Sequence, residues 1–429
     1  MSPAEEFILL PTSKLLPGMF VDLEMHWTKH PFAFSRFVIR SQKQIETIRS
    51  LKSGNVRVYP GRSELKKPIE ELLRDGPGGD DAGDAGDSRA TAEDREQQRQ
   101  RERAEQMRRR RIEVGRDYRE KVDKIQRITR DMRQNPANAI QDVDTLVDEL
   151  ARQFEIGDNL LTRLVELGSS DYNDYNHVAN VTMLALMLAS AEGVEGEALR
   201  RLAVGAVLHD IGKVALPAVV LSKRGKLTAA EQKVIEEHPR IGRKLAERVR
   251  PLHPEVRDII EQHHEYLDGS GYPQGLGGEQ IGPLVRMVSI ANHYDNLCHP
   301  QDPSTRLAPK DALAHLYRNF GSRLDRRLVA RLVSILGVYP PGTVVRLSDE
   351  RLARVIASRP DARMAPDVIV FDPGIDRDNA TILQLSDAPA LEIREALRPG
   401  EYPSSIEDYF GISDQIGFMV DSEFDAPTA

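Results

Sequence analysis

Nine of the eleven histidines of this 429-residue chain fall between His177 and His315. Six residues in that stretch are placed to ligate metal: His177, the adjacent His209-Asp210, His238, and the adjacent His263-His264. The groups are separated by 32, 28 and 25 residues, each interval about one helix plus a loop, so successive helices can bring one group each to a common point. Imidazole and carboxylate donors without thiolate suit iron, manganese, zinc or nickel. A structural zinc knot is disfavoured, because Cys298 is the single cysteine. Two ions roughly 3.5–4 Å apart in such a nest would bridge a hydroxide and clamp a phosphodiester. Any one of these histidines taken alone reads as a core or surface residue. The set, two adjacent pairs and two singletons within one helical stretch, is what points to a metal centre.

The elements that must position these groups are helical. From Ala139 to about Val338 apolar residues keep helical spacing, as in Leu146, Val147, Leu150 and Phe154, or Val181, Leu184, Ala185 and Leu188. Asp171 and Asn173 sit where an N-cap is expected ahead of the helix carrying His177. No alternation of strands with helices occurs, which argues against a Rossmann or barrel fold. The predicted fold is mainly α. An all-helical core over 155–340 follows a small α+β domain at 1–75, with a short β-rich C-terminal extension over 341–429 that ends in a flexible tail. Between the domains, residues 76–94 are a Gly/Asp-rich linker, and 95–154 supply basic connecting helices. From Arg95 to Arg133 there are 15 Arg and Lys against 8 acids, read as a solvated helix or as a basic arm for an anionic partner. In the front domain, His26, Trp27, His30 and Phe32–Phe37 form an aromatic and basic cluster, read as a domain core or a binding surface.

Composition closes off other classes. Lys and Arg number 59 against 67 acids, a net charge of −8, which disfavours a general DNA binder. No apolar run approaches the roughly 20 residues needed to span a bilayer. The N-terminus lacks the basic region of a signal peptide, so the expected location is the cytoplasm.

The segments AVLHDIGKVALP at 206–217, GKLTAAEQKVIEEHPRIG at 225–242 and QHHEYLDGSGYPQGLGGEQI at 262–281 resemble the HD-GYP domain, a branch of the HD phosphohydrolases. Residues 1–75, with LLPGMFVDLEMHWTKHPF, resemble a small domain of unknown function that often precedes HD-GYP. The resemblance implies a metal-dependent phosphodiesterase that hydrolyses cyclic di-GMP to pGpG, and onward to GMP if the linear product re-enters the site. It implies two divalent ions, Fe or Mn, with His177, His209, Asp210, His238, His263 and His264 as ligands and Asp210 bridging. Asn292 stands where the family has a closing aspartate. Lys213 matches the lysine that neutralises a substrate phosphate, so His209, Asp210 and Lys213 are the expected catalytic set. Arg286, Arg306 and Lys310 are the expected further phosphate contacts, with surface charge as the alternative reading for the last two. The Gly271-Tyr272-Pro273 loop implies contact with substrate or with diguanylate cyclases (GGDEF proteins).

Two departures from the family pattern matter. An asparagine at 292 ligates without charge, with Asp295 or His293 as substitutes, Asp295 better fitting a structural role. Members with three metals carry a glutamate where Asn173 stands, which favours two ions here. Cys298 reads as a small buried residue, because a metal centre already supplies the nucleophile. Two rival functions remain: a degenerate HD-GYP domain acting as a cyclic di-GMP receptor or cyclase-binding module, and an HD hydrolase for another phosphoester.

Overall fold

The chain divides into two compact units, Met1–Thr91 and Ala92–Ala429. The structure is a computed structural model that describes residues 7–23, 36–39, 44–45, 48–49, 55–63, 92–155, 161–166, 173–223, 225–249, 251–358, 362–377, 380–388, 390–411 and 416–421. The linker residues 76–90, Asp171, and His26, Trp27, His30 and Phe32 lie outside the described residues.

In the first unit, β1 (Ile8–Pro11), β2 (Phe20–Asp22), β3 (Arg36–Val38) and β4 (Asn55–Val58) form an antiparallel sheet in the order β1-β4-β2-β3. Leu10, Met19, Val21, Val56 and Val58 bury one core with Ile45 and Ile48, which lie in helical residues of the same unit.

The second unit begins with α1 (Ala92–Gln134) and α2 (Pro136–Glu155). Despite its charge, α1 is not merely solvated: Met107, Val114, Tyr118, Ile125, Ile128 and Met132 recur every three, four or seven residues and enter the core. Next come β5 (Leu161–Glu166), α3 (Asp174–Ala191), α4 (Gly196–Leu208), α5 (Ala218–Leu221), α6 (Ala229–Ile235), α7 (His238–Val249), α8 (Pro254–Gln262), α9 (Pro283–Cys298), α10 (Pro309–Asn319) and α11 (Arg326–Leu336). Every residue of α3 from Asn176 to Ala189 is buried, which makes it the central helix around which the others pack. No described helix is long and apolar enough to cross a membrane.

The C-terminal part is β6 (Val344–Leu347), β7 (Leu352–Ser358), β8 (Asp367–Val370), β9 (Ile382–Gln384), β10 (Ile393–Leu397), α12 (Ser404–Phe410) and β11 (Ile416–Asp421). Two expectations are corrected here. Residues 161–166 form a strand inside the stretch expected to be wholly helical. Residues 416–421, expected in the flexible tail, are its partner, with Ile416 opposite Glu166 and Asp421 opposite Leu161. Strand β5 also pairs β7, so the sheet runs β10-β6-β7-β5-β11, with β8 and β9 added beyond β7. Strand alternation then covers both faces. Val345, Val355 and Val368 build a small core of their own, while Val344, Ile356, Ile369 and Phe418 join the helical core. The sheet is built into the helical unit rather than appended to it.

Candidate metal centre

Helix ends deliver the ligands. Asn173 caps α3 as expected: its side-chain oxygen accepts from the Tyr175 and Asn176 backbone N–H groups, and the Asn176 side chain accepts from the Asn173 N–H. His177 follows within the second turn. His209 terminates α4 and His263 terminates α8, whereas His238 opens α7 directly after α6. The last-turn carbonyls of a helix lack intrahelical partners. Three of them accept the imidazole Nδ1–H groups: Ala206 O from His209 at 2.7 Å, Ile235 O from His238 at 2.7 Å, and Ile260 O from His263 at 3.0 Å. That bond fixes each tautomer and aims Nε2, with its lone pair, inward.

Backbone contact sets the spacing between these ends. A Cβ on Gly212 would lie 1.9 Å from the His238 carbonyl oxygen and 2.6 Å from the Gly242 nitrogen, so only glycine lets the turn after Asp210 touch α7. His238 thereby comes within reach of Asp210.

Asp210 stands between two ligand groups. Its Oδ1 faces His238 Nε2 at 3.1 Å and His263 Nε2 at 3.8 Å; its Oδ2 faces His209 Nε2 at 3.4 Å and His177 Nε2 at 3.6 Å. The donor atoms of Asp210, His238, His263 and His264 lie within 4.8 Å of one another, as do those of His177, His209 and Asp210. Burial would raise the Asp210 pKa, but Lys213 and His209 beside it hold the carboxyl well below the usual range. Burial, then neighbouring imidazoles, push His263 and His264 well below theirs, and burial lowers His209. The nest sets a carboxylate held in its charged form beside His209, His263 and His264, whose charged forms are disfavoured.

These residues fit divalent cations. His238 and His263 point Nε2 at each other across 3.2 Å although each has placed its proton on Nδ1, so two lone pairs meet with nothing between them. The buried Nε2 of His209 has no hydrogen-bond partner. A cation in each group relieves both conditions.

His177 is held differently. Its Nδ1 donates to Asp295 Oδ2 at 2.7 Å, and Asp295 Oδ1 accepts from Asn180 Nδ2 at 2.8 Å and from His299 Nδ1 at 3.0 Å. Asp295 thereby fixes the orientation of the His177 ring. Burial opposes its ionisation, but His299 and His177 outweigh that and keep the carboxyl low. His293 is turned toward Tyr266, whose hydroxyl lies 2.7 Å from its Nε2. Asn292 is buried on α9; its side-chain oxygen accepts from Asn296 Nδ2 at 2.8 Å, and its amide nitrogen has no partner.

Lys213 lies beside the nest with Nζ 2.6 Å from Asp210 Oδ2 and its side chain 24% exposed. Burial works against its charge, yet Asp210 and Asp174 hold its pKa above the ordinary value. The other expected phosphate contacts have partners of their own. Arg286 spends its guanidinium on the Ile281 and Gly278 carbonyls, at 2.8 and 3.0 Å, and on Asp325. Arg306 donates to the Cys298 carbonyl and lines a cavity of about 320 Å³ with Ser304, Leu307, Val344 and Tyr402; none of the six ligands lines it. Lys310 sits over the Tyr339 ring, 4.8 Å from its centroid. Cys298 is buried, and burial pushes its thiol pKa up, as suits a packing residue.

The Gly-Tyr-Pro loop closes one side. Tyr272 stacks on His264 at 4.6 Å between centroids with the planes 18° apart. A Cβ on Gly271 would lie 2.4 Å from the Tyr266 nitrogen, so the loop can pass there only as glycine. Two holders of this loop were not singled out from the sequence. Buried Glu265 accepts from the backbone N–H groups of Gln274, Gly275 and Leu276 at 2.6, 3.1 and 3.0 Å, and Arg240 donates to the Pro273 carbonyl at 2.6 Å. The sequence signal for Glu265 was its place directly after the His263-His264 pair.

The family model described as an HD domain matches residues 137–328, and one described as a domain of unknown function, DUF3391, matches residues 8–143. A cyclic di-GMP phosphodiesterase of Pseudomonas aeruginosa is 33% identical over 244 residues, covering 56% of this chain and 58% of that protein. A cyclic di-GMP phosphodiesterase response regulator of Xanthomonas campestris is 36% identical over 188 residues, covering 44% and 46%. The chain thus spans about half the length of these curated relatives. Among solved structures, an HD-GYP-type protein from Bdellovibrio bacteriovorus aligns over 77% of this chain and 99% of that one, at 18% identity and a TM-score of 0.34.

Proposed function

We propose that this chain, whose residues 137–328 match the HD domain family model behind a match to DUF3391, is a metal-dependent phosphodiesterase hydrolysing cyclic di-GMP to the linear dinucleotide pGpG. One observation carries the reading: Asp210 turns one carboxylate oxygen to each of two histidine groups, the arrangement a two-ion centre requires. Relatives named as cyclic di-GMP phosphodiesterases support the substrate.

His177 and His209 would hold one ion, and His238, His263 and His264 the other, with Asp210 shared. When bound, two iron or manganese ions supply Lewis-acid activation of water and stabilise charge on the phosphate. The chain's own part is orientation and charge. The backbone-tethered imidazoles arrive preorganised, so little reorganisation accompanies the reaction. Lys213 brings a cation to the edge of the nest, where it neutralises a non-bridging phosphate oxygen. Tyr272 packs on His264 and keeps water off that side of the site. The Gly271-Tyr272-Pro273 loop is the surface we assign to a diguanylate cyclase, with its neighbours Ser270 and Gln274 exposed.

Product chromatography after incubation with cyclic di-GMP and Mn(II) or anaerobic Fe(II) tests the reading. The expected result is pGpG, lost completely in the His209→Ala/Asp210→Ala double variant with helical circular dichroism retained. Lys213→Met should lower turnover by about 10²-fold while metal content stays unchanged. Absence of product under both metals, with cyclic di-GMP still bound, would contradict the assignment.

A further inference from the structure

The bond that orients His177 does not end at Asp295. Asn180, one helical turn beyond His177 on α3, is fully buried and meets three elements. Its Nδ2 donates to Asp295 Oδ1 at 2.8 Å. Its Oδ1 accepts the Tyr118 hydroxyl of α1 at 3.0 Å and the Phe418 backbone N–H of β11 at 3.0 Å. Two donors on the oxygen and a carboxylate at the nitrogen allow one amide orientation: a flipped Asn180 would set its own donors against an N–H and an O–H. Tyr118 is itself wholly buried, and its hydroxyl also lies 3.3 Å from the Asn176 carbonyl.

We propose that Asn180 is a positioning residue that couples helix α1, through the Tyr118 hydroxyl, to the metal ligand His177, through the Asp295 carboxylate. Its setting distinguishes it from an ordinary buried amide. Tyr118 and Phe418 both lie outside residues 137–328, so the junction ties the HD domain to segments on either side of it in the chain. The same helix touches the site a second time, where Arg133 Nη1 donates to the Val214 carbonyl at 2.9 Å, next to Lys213. Helix α1 is the first element after the linker, and its register against α3 is therefore felt both at His177 and at the turn bearing Lys213. A displacement of α1 changes the geometry of one ligand group while the backbone-tethered histidines stay in place. The chain so contains a two-point lever from its charged helix to its metal centre.

This inference rests on the metal centre proposed above, and its test reads metal binding rather than hydrolysis. The full-length chain, stripped of metal, is titrated with Mn(II), and free ion is followed by electron paramagnetic resonance. Asn180→Ala should weaken the affinity of one ion by about 10–100-fold, and Tyr118→Phe should weaken the same ion by about threefold. In an Asp295→Asn background both losses should shrink or vanish, because the path is already cut. If Asn180→Ala fails to fold by circular dichroism, Tyr118→Phe and its cycle with Asp295→Asn decide alone. Folded variants that titrate as the parent chain does, or losses that add in full to Asp295→Asn, overturn the coupling and leave the metal centre standing. A parent chain that binds no Mn(II) overturns both.

Discussion

His209, His238 and His263 are oriented by carbonyls three residues back in their own chain segment, whereas His177 is oriented by a carboxylate 118 residues away. The first arrangement is local. Once a helix ends at the right residue, the orphan carbonyl and the imidazole find each other, and no other side chain is needed. The second depends on α3 and α9 being packed correctly, and on Asn180 and His299 satisfying the rest of Asp295. One half of the centre is fixed by backbone, and the other is adjustable by packing. In the proposed centre this would keep most of the ligands preorganised while leaving one ion open to influence from elsewhere in the fold.

The sharpest way to break the local half is through the backbone. Gly212→Ala places a methyl group against the His238 carbonyl, so α7 must move away from Asp210. Stability should fall by about 3 kcal/mol in denaturant unfolding, with metal bound by the remaining folded chain reduced in proportion. Unchanged unfolding would mean that the contact between the turn and α7 is not tight. The remote half breaks more gently. Asp295→Asn keeps shape but removes the charge that polarises His177, and should lower the affinity of one ion by about 10–100-fold with the fold intact. Loss of both ions in that variant would erase the distinction between the halves. The smallest effect belongs to the basic residues near the 320 Å³ cavity. Arg306→Ala and Lys310→Ala should change KM for cyclic di-GMP by less than about twofold, because neither guanidinium nor ammonium joins the nest. A tenfold rise would return them to the substrate site.

The six candidate ligands stand out in the sequence by residue type and even spacing, and the structure brings them together around Asp210. The N-cap Asn173 and the β character of the extension after residue 341 are legible because short-range pattern decides them. What the sequence concealed depends on partners far along the chain. Strand β5 reads like its helical surroundings, and the strand that pairs it lies some 250 residues later. The buried seam of α1 is thin, and 15 basic residues over 95–133 mask it. Arg286 looks like a phosphate ligand because basic residues often are, but the carbonyls it satisfies exist only once the Gly278–Ile281 turn is folded. Asn292 remains a site where residue type alone misleads. Its amide oxygen is engaged by Asn296, so the departure from aspartate alters charge and hydrogen bonding together.

Metal stoichiometry tests the central claim most directly. Metal-stripped chain equilibrated with excess Mn(II) or anaerobic Fe(II), desalted and assayed by elemental analysis, should retain two ions per chain. Asp210→Ala should retain one or none, since a single carboxylate serves both groups. One ion in the parent chain, or two in Asp210→Ala, would contradict a centre built on a shared Asp210.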